Sequence, residues 1–480
     1  MERNHLRAKV ETTLTNERSN HRATTARRLL LLALIVALAF AVRSLSANFL
    51  RAHFGDPGWF QSGSYQVFDR QAQNVLDGQE SFFWISDATR TDLIQYPPGS
   101  RIWIAAIYAV TGDRSAASVQ RVQIVVDSLA VLLIVGLGRA AYGWRVGLIA
   151  GTLAALSPLL ATYGAMPGAD APGNWALLGA LWLLLLTAEK KKILFAVGAG
   201  AALGIACWIR VNPFLLFTVW TAALILFVNA PWRTTAFLGA SLALATLLVM
   251  SPIVIRNLLV FYPQVAPTGL NIGLNLWEGL GETDRGHTLG APGSDAEVLE
   301  QDRKEMGLPP DAPIGLNYPD GIRRDRERAR RAFAMIKAHP FWYAGTMLHR
   351  LMGHFKLAGA PLSHVGSSGF NVTSRKCLPD NAQRGVLSIA VNGLGMLQSV
   401  LRYLMLPLIL AGIWFALRQN KVASLLLLCT VVYYLATLSV GHSEIRYGLP
   451  MQAIFVVFAA VAVEQIANRL SAFRHQGALP

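Results

Sequence analysis

Long apolar runs alternate with short polar breaks along most of this chain. The runs fall near residues 29–50, 122–138, 146–163, 174–188, 193–208, 213–229, 234–254, 402–417, 422–440 and 449–468. A helix needs about 20 apolar residues to cross a hydrocarbon core of about 30 Å. The pattern predicts an all-α polytopic membrane protein with about ten transmembrane helices. Two stretches interrupt it, residues 51–121 and residues 257–401, the second mixed in character to about residue 385. Within the first, "IWIAAIYAV" is too short to cross as a helix and is expected to lie in the interface or re-enter.

The first run, "LLLLALIVALAFAV", follows a polar, basic stretch that ends in Arg27 and Arg28. It has the look of a signal-peptide core, with "SLSA" as a cleavage-like end. The long basic region before it and the apolar residues out to Leu50 favour an uncut first helix. Residues 1–28 then read as a disordered cytoplasmic tail.

Basic residues collect in cytoplasmic loops. With the N-terminus inside, the inner loops hold Arg139 and Arg145, "EKKK" at 189–192, Arg233, Arg418 and Lys421, then Arg469 and Arg474. The short outer loops are poor in base: "MPGADAPG" has none, "RVN" has Arg210 and "HSEIRYG" has Arg446. Residues 51–121 and 257–401 therefore lie outside the cytoplasm. The expected organisation is a tail over 1–28, a membrane module over 29–256, an extracytoplasmic segment over 257–401, closing helices over 402–468 and a cytoplasmic tail over 469–480. In the long segment, "IRRDRERARRAFAMIKA" is helical by propensity, and Pro340 suits the first turn of a further helix. That helix places Phe341, Leu348, Met352 and Phe355 on one face. It fits a helix lying on a membrane surface and equally one packed on the extracytoplasmic domain.

Composition agrees. Of 480 residues, 53% are hydrophobic and 15% charged, against about 25% charged in soluble proteins. The net charge of +15 follows in part from topology, and the remainder suits an anionic lipid headgroup or a phosphate. No basic run is interleaved with aromatics, which argues against nucleic acid. Cys207, Cys377 and Cys429 have neither metal spacing nor a disulfide pattern. No cofactor is implied, and a divalent metal stays open, since the acids are few and scattered. "NVT" at Asn371 fits a glycosylation acceptor pattern.

The candidates for chemistry are polar residues at the outer ends of the helices. They are Asp56 after the first helix, Asp170 in "GADAPG", Arg210, Arg256 in "SPIVIRN", and Glu444, Arg446 and Tyr447. One topology puts them all on one side at similar depth. Guanidinium groups offer a bidentate fork to a lipid phosphate, and a carboxylate nearby can take a proton from an incoming hydroxyl. Each has a plainer reading. Asp170 suits a helix N-cap, Arg210 and Arg256 suit snorkelling helix ends, and Glu444 suits a simple pair with Arg446.

Several stretches, in order, resemble the GT-C superfamily of polytopic glycosyltransferases. Within it they are similar to the bacterial relatives of the protein O-mannosyltransferases and the lipid A aminoarabinose transferases. The stretches are "GDPGWFQSGSYQVFDRQAQNVLDGQ", "YPPGSRIWIAAIYAVTG", "RVQIVVDSLAVLLIVGLGRAAYGWRVGLIAGTLAALSPLLATYG", "IRNLLVFYPQVAPTGLNIGLNLWEGLG", "HPFWYAGTMLHRL" and "IRYGLPMQAIFVVFAA". The resemblance implies that Asp56 is the general base of an inverting transfer from a polyprenyl-phosphate sugar. It implies a catalytic or acceptor-binding role for Asp170 and a donor-phosphate contact for Arg256, and the shared depth makes Arg210 and Arg446 phosphate-binding candidates too. Tyr65 and Arg101, within the first two stretches, are further candidates beside Glu444 and Tyr447. Two departures stand out: Pro57 replaces the second acid of the family's usual pair, and "GADAP" replaces its Thr-Glu.

The resemblance implies an enzyme of a bacterial inner membrane whose site faces the periplasm or exterior. Its partners would be a polyprenyl-phosphate sugar, membrane lipids and an acceptor glycan, lipid or protein. The alternative is a transporter or flippase binding the same anionic substrate in transit. The chain has no internal repeat of the kind transporters carry, which counts against it.

Overall fold

The computed structural model describes residues 2–52, 62–355, 372–442 and 444–476, with side chains described over 24–52, 65–355, 372–442 and 444–472. Asp56 and Asn371 lie outside the described residues. Among the described residues no strand is formed. The N-terminal half holds α1 (Glu2–Ala52), α2 (Ser62–Leu76), α3 (Gly99–Thr111), α4 (Ala116–Tyr142), α5 (Trp144–Leu156), α6 (Pro158–Ala165), α7 (Asp170–Lys190), α8 (Ile193–Ile209), α9 (Leu216–Phe227) and α10 (Trp232–Phe261). The second extramembrane segment holds α11 (Ile272–Gly281), α12 (Asp284–Thr288), α13 (Asp295–Glu305), α14 (Gly321–Ala338) and α15 (Pro340–Gly353). Then follow α16 (Val386–Gln419), α17 (Lys421–Val440) and α18 (Leu449–Gln476).

Every apolar run of the sequence is helical, but fewer than ten helices cross by length. Seven described helices are long and apolar enough, and the bent pair α5 and α6 makes an eighth span if taken together. The shortfall lies in α8 and α9. Their 17 and 12 residues rise only about 26 and 18 Å. The 63° bend between α5 and α6 has a local cause. Pro158, at the first position of α6, has no N–H to continue α5, and the Ser157 hydroxyl caps α6 by accepting from the Leu160 N–H. The start also differs from expectation. Residues 2–28 continue α1 and are not a structureless tail, consistent with the absence of Gly or Pro before residue 53.

The bundle is centred on α18, whose residues from Met451 to Ala462 are almost all fully buried against α16, α5, α7 and α4. Lipid tails are as apolar as leucine, so close packing rather than water exclusion holds such helices together. In α8, Gly200 and Gly204 form a small-xxx-small pair facing α10. A Cβ on Gly200 would overlap the Leu242 carbonyl, and one on Gly204 would sit 2.6 Å from the Val249 Cβ. Gly200→Ala is expected to destabilise the protein by about 1–3 kcal/mol, read as a lower unfolding midpoint in detergent. An unchanged midpoint would show that α8 and α10 do not touch there.

The bases gather at one end of the bundle. The guanidinium groups of Arg28 and Arg139 lie 5.0 and 4.2 Å from the centre of the Trp144 ring. Asn420 donates to the Ala141 carbonyl, and Arg469 stacks on Phe415. The loops carrying Asp170, Arg210 and Arg446 meet at the opposite end.

In the second extramembrane segment, α11 packs on α14. Arg324 and Arg328 of α14 both reach Asp302 of α13. The helix starting at Pro340 forms as expected. It turns Phe341, Leu348 and Met352 outward and buries Arg350. Apolar outside and charge inside reverses the order of a water-soluble helix and suits a lipid-facing surface.

Candidate active site

Asp170, Arg210, Glu444, Arg446 and Tyr447 come together in the fold as they do in the reading of the sequence. Asp170 opens α7 after the "MPG" turn, and Ala169, not Asp170, is the N-cap. The capping alternative is therefore overturned. The Asp170 carboxylate instead faces Arg210 at 2.7 Å and Arg446 at 3.9 Å. Arg210 follows the last turn of α8 in an extended conformation, which aims its side chain back across the start of α7. Arg446 and Tyr447 sit in a single 3-10 turn ahead of α18. The Tyr447 ring lies under both guanidinium groups, 4.8 Å from Arg210 and 5.2 Å from Arg446.

The pairing does not stop there. Arg446 binds Glu444 at 2.5 Å, and Glu444 accepts from His442 at 3.1 Å. The other nitrogen of His442 faces Glu282 at 2.5 Å, and Glu282 lies 3.8 Å from Arg350. The result is a continuous chain of alternating charge from Arg210 through Asp170, Arg446, Glu444, His442 and Glu282 to Arg350. Burial works against a charged His442, but its bonds to Glu282 and Glu444 outweigh burial and hold its pKa well above the usual value. With His442 charged, the chain has four cations to three anions, and its excess charge is positive.

The chain borders a cavity of about 410 Å³ whose lining includes Arg210, His442, Glu444, Arg446 and Tyr447. Two more carboxylates line it from the second extramembrane segment, Glu278 of α11 and Asp295 of α13. Glu278 is only 7% exposed. Burial pushes its pKa up to about 7, with His442 pulling it down and Asp295, Glu282 and Glu444 pushing it up further. Asp295 is open to the cavity space yet ringed by protein, and that enclosure raises its pKa too.

The other candidates sit elsewhere. Arg256 is buried in α10 and does not line the cavity. Its guanidinium donates to the Phe83 carbonyl at 2.8 Å and to the Asn257 side chain at 2.7 and 3.0 Å. It ties the first extramembrane segment to α10 and is corrected from a phosphate contact to a structural one. Arg101 is buried in the first turn of α3. Tyr65 shares a 3.0 Å hydrogen bond with Tyr108, which donates to Asp69. Among the described residues no group of three or more His, Cys, Asp or Glu side chains is placed to hold a metal ion.

Reading the sequence missed His442, Glu282, Glu278, Asp295 and Arg350. Only His442 carried a signal, as the neighbour of Glu444 and Arg446 in "HSEIRYG". It also missed a second polar node, inside the bundle. Arg43 of α1 binds Asp127 of α4 at 2.5 Å, and Trp175 of α7 donates to the same carboxylate at 2.5 Å. A lone acid in the apolar run "IVVDSLAVLLIVG" was the available signal.

Residues 95–255 match the family model of the dolichyl-phosphate-mannose-protein mannosyltransferases. The matched span takes in the second and third of the quoted stretches. No curated protein sequence matches the chain. Among solved structures it is similar to the archaeal oligosaccharyltransferase AglB from Archaeoglobus fulgidus in complex with an inhibitory peptide and a dolichol-phosphate. The TM-score is 0.54 at 14% identity, over 94% of this chain and 52% of that one. The apo Archaeoglobus fulgidus oligosaccharyltransferase gives 0.52 at 14% identity, over the same shares. The chain thus spans about half the length of the structures it resembles, and at that identity the likeness is one of fold. Among the described residues the expected all-helical architecture, with several helices long and apolar enough to cross a membrane, is borne out.

Proposed function

We propose that the chain is a membrane-embedded inverting glycosyltransferase that moves a sugar from a polyprenyl-phosphate donor to an extracytoplasmic acceptor. The observation that carries this reading is the charge chain beside the cavity, which presents Arg210 and Arg446 on one wall with a net positive charge. The family match over residues 95–255 supports the same reading. The bases at the other end of the bundle support a cytoplasmic location for that end, in a bacterial inner membrane.

In this mechanism the donor phosphate lies against Arg210 and Arg446. Asp56 takes the proton of the acceptor hydroxyl, and the acceptor oxygen attacks the anomeric carbon from the face opposite the phosphate. The bond between that carbon and the phosphate oxygen breaks, and its electron pair leaves with the polyprenyl phosphate. The two arginines offset the charge that develops on the leaving group. Helix α1 ends at Ala52, four residues before Asp56. Arg51 donates to Gln120, which donates to the Ala165 carbonyl beside the Asp170 turn. That the described end of α1 lies beside the Asp170 turn supports this reading.

The test is incubation of the purified protein in detergent with a polyprenyl-phosphate sugar and an acceptor. The pair is chosen from mass spectrometry of lipid-linked sugars and surface glycans in cells with and without the gene. A transferase makes a new glycosidic bond without a sealed membrane, and a flippase makes none. Arg210 ends the charge chain, so its removal disturbs the rest least. Arg210→Gln is expected to lower kcat/KM for the donor by about 10–100-fold, the worth of a charged hydrogen bond of about 1.5–3 kcal/mol. An unchanged kcat/KM would remove Arg210 from the donor site.

A further inference from the structure

Arg210, Asp170, Arg446, Glu444, His442 and Glu282 satisfy one another, but two cavity carboxylates stand outside that chain. Glu278 is more than nine-tenths buried and lines the cavity, and its side-chain carboxylate makes no hydrogen bond or ion pair with any described residue. Asp295 lines the same cavity and adds its negative charge to that of Glu278. A buried carboxylate with no partner is costly, and a second one beside it raises that cost. The groups facing Glu278 are His442, Asp295, Glu282 and Glu444, and those facing Asp295 are His442, Glu444, Arg328 and Arg446. His442 already serves Glu282 and Glu444, and Arg328 serves Asp302.

We propose that Glu278 and Asp295 form a subsite for a cationic group, an amine or guanidinium, carried by the substrate into the cavity. This rests on the glycosyl-transfer reading for the identity of the substrate, but the subsite itself does not. The cavity then has two poles. The arginine pole takes phosphate and the Glu278–Asp295 pole takes a cation. Both the acceptor and the transferred sugar can carry that cation. The ionised carboxylate is the binding form, so protonating Glu278 weakens binding. With that carboxyl pushed up to about 7, affinity rises with pH and is about tenfold higher at pH 8 than at pH 6. An alkylamine ligand keeps its own proton throughout, with a pKa of about 10.

The probe is dansylcadaverine, a fluorescent primary amine, with its neutral N-acetyl derivative as comparison. Each is titrated into the full chain in detergent at pH 6 and pH 8. Expected is saturable binding of the amine, at least tenfold weaker after acetylation, weaker at pH 6, and lost in Glu278→Gln. Asp295→Asn, at the more exposed of the two acids, weakens it less and serves if Glu278→Gln fails to fold. Equal binding of amine and acetylated probe by the unaltered protein overturns the proposal, as does equal amine binding by folded Glu278→Gln. Two transfer arms identify the source. One pairs an amino-sugar donor or its N-acetyl form with a neutral acceptor, and the other pairs a neutral donor with an amine-bearing or acetylated acceptor. Glu278→Gln should lower kcat/KM only for the amine-bearing member of one arm. Amine binding without transfer would leave the subsite standing and remove the transferase reading, and transfer without amine selectivity would do the reverse.

Discussion

Asp56→Asn is expected to lower sugar transfer by about 10²–10⁴-fold, the span of a positioned general base, while the protein stays folded and inserted. Asparagine keeps the shape of the side chain and its hydrogen-bonding oxygen. It cannot take a proton at any accessible pH, so the loss falls on kcat and spares donor binding. The measurements are initial rate under saturating donor, donor affinity by displacement, and unfolding midpoint in detergent. A midpoint within the range of a neutral surface change, about 0.5 kcal/mol, separates lost chemistry from lost fold. The described acids around the site bear on the choice of base. Asp170 is held by two arginines, and Glu444 by Arg446 and His442. Carboxylate oxygens engaged in those ion pairs are already committed to partners and not free to meet an acceptor hydroxyl. Full turnover in Asp56→Asn would move the base to Glu278, whose unpaired carboxyl is the next best proton acceptor in the cavity.

The sequence made depth legible and left direction hidden. Alternating runs with basic and base-poor loops put Asp170, Arg210 and Arg446 at one end of the bundle, and there they meet. Arg256 had the same depth by the same logic, yet it turns to the Phe83 carbonyl. Its direction depends on how α10 is rotated, and that is set by close contact with Gly200 and Gly204 of α8, a packing detail that run lengths do not encode. The number of crossings failed for a related reason. An apolar run reports hydrophobicity, and α8 and α9 are apolar without the length to cross alone. The acidic half of the site was invisible because its pairs are distant. His442 and Glu282 are 160 residues apart, and Glu278 is one acid among many in a polar-looking segment. Only the fold shows that most of those acids are paired and that Glu278 is not.

The Arg43–Asp127 pair is expected to carry the largest stability effect in the chain. Asp127 lies eleven residues into α4, about 16 Å along it, and Arg43 lies nine residues from the end of α1, about 14 Å. Both are nearly fully buried among apolar helices. Gly164 of α6 comes so close that a Cβ there would overlap the Asp127 carboxylate. Removing one member leaves the other charged, buried and unpaired, which costs about 3–5 kcal/mol in a setting where unpaired charge is already expensive. Asp127→Leu should therefore lower both yield in the membrane and stability in equilibrium unfolding from mixed micelles. Removing both charges while keeping an acceptor for Trp175, in Arg43→Met with Asp127→Asn, should cost much less than the sum of Arg43→Met and Asp127→Asn made singly, a non-additivity that defines coupling. A single Asp127→Leu within about 1 kcal/mol of the parent would refute the pairing. The double variant carries the functional weight. The node joins α1, which leads into Asp56, to α7, which begins at Asp170, through a hydrogen bond five residues below Asp170. If it sets the spacing of those two acids, the folded double variant should bind donor normally and turn over more slowly. If it only holds the bundle together, that variant should turn over at the full rate.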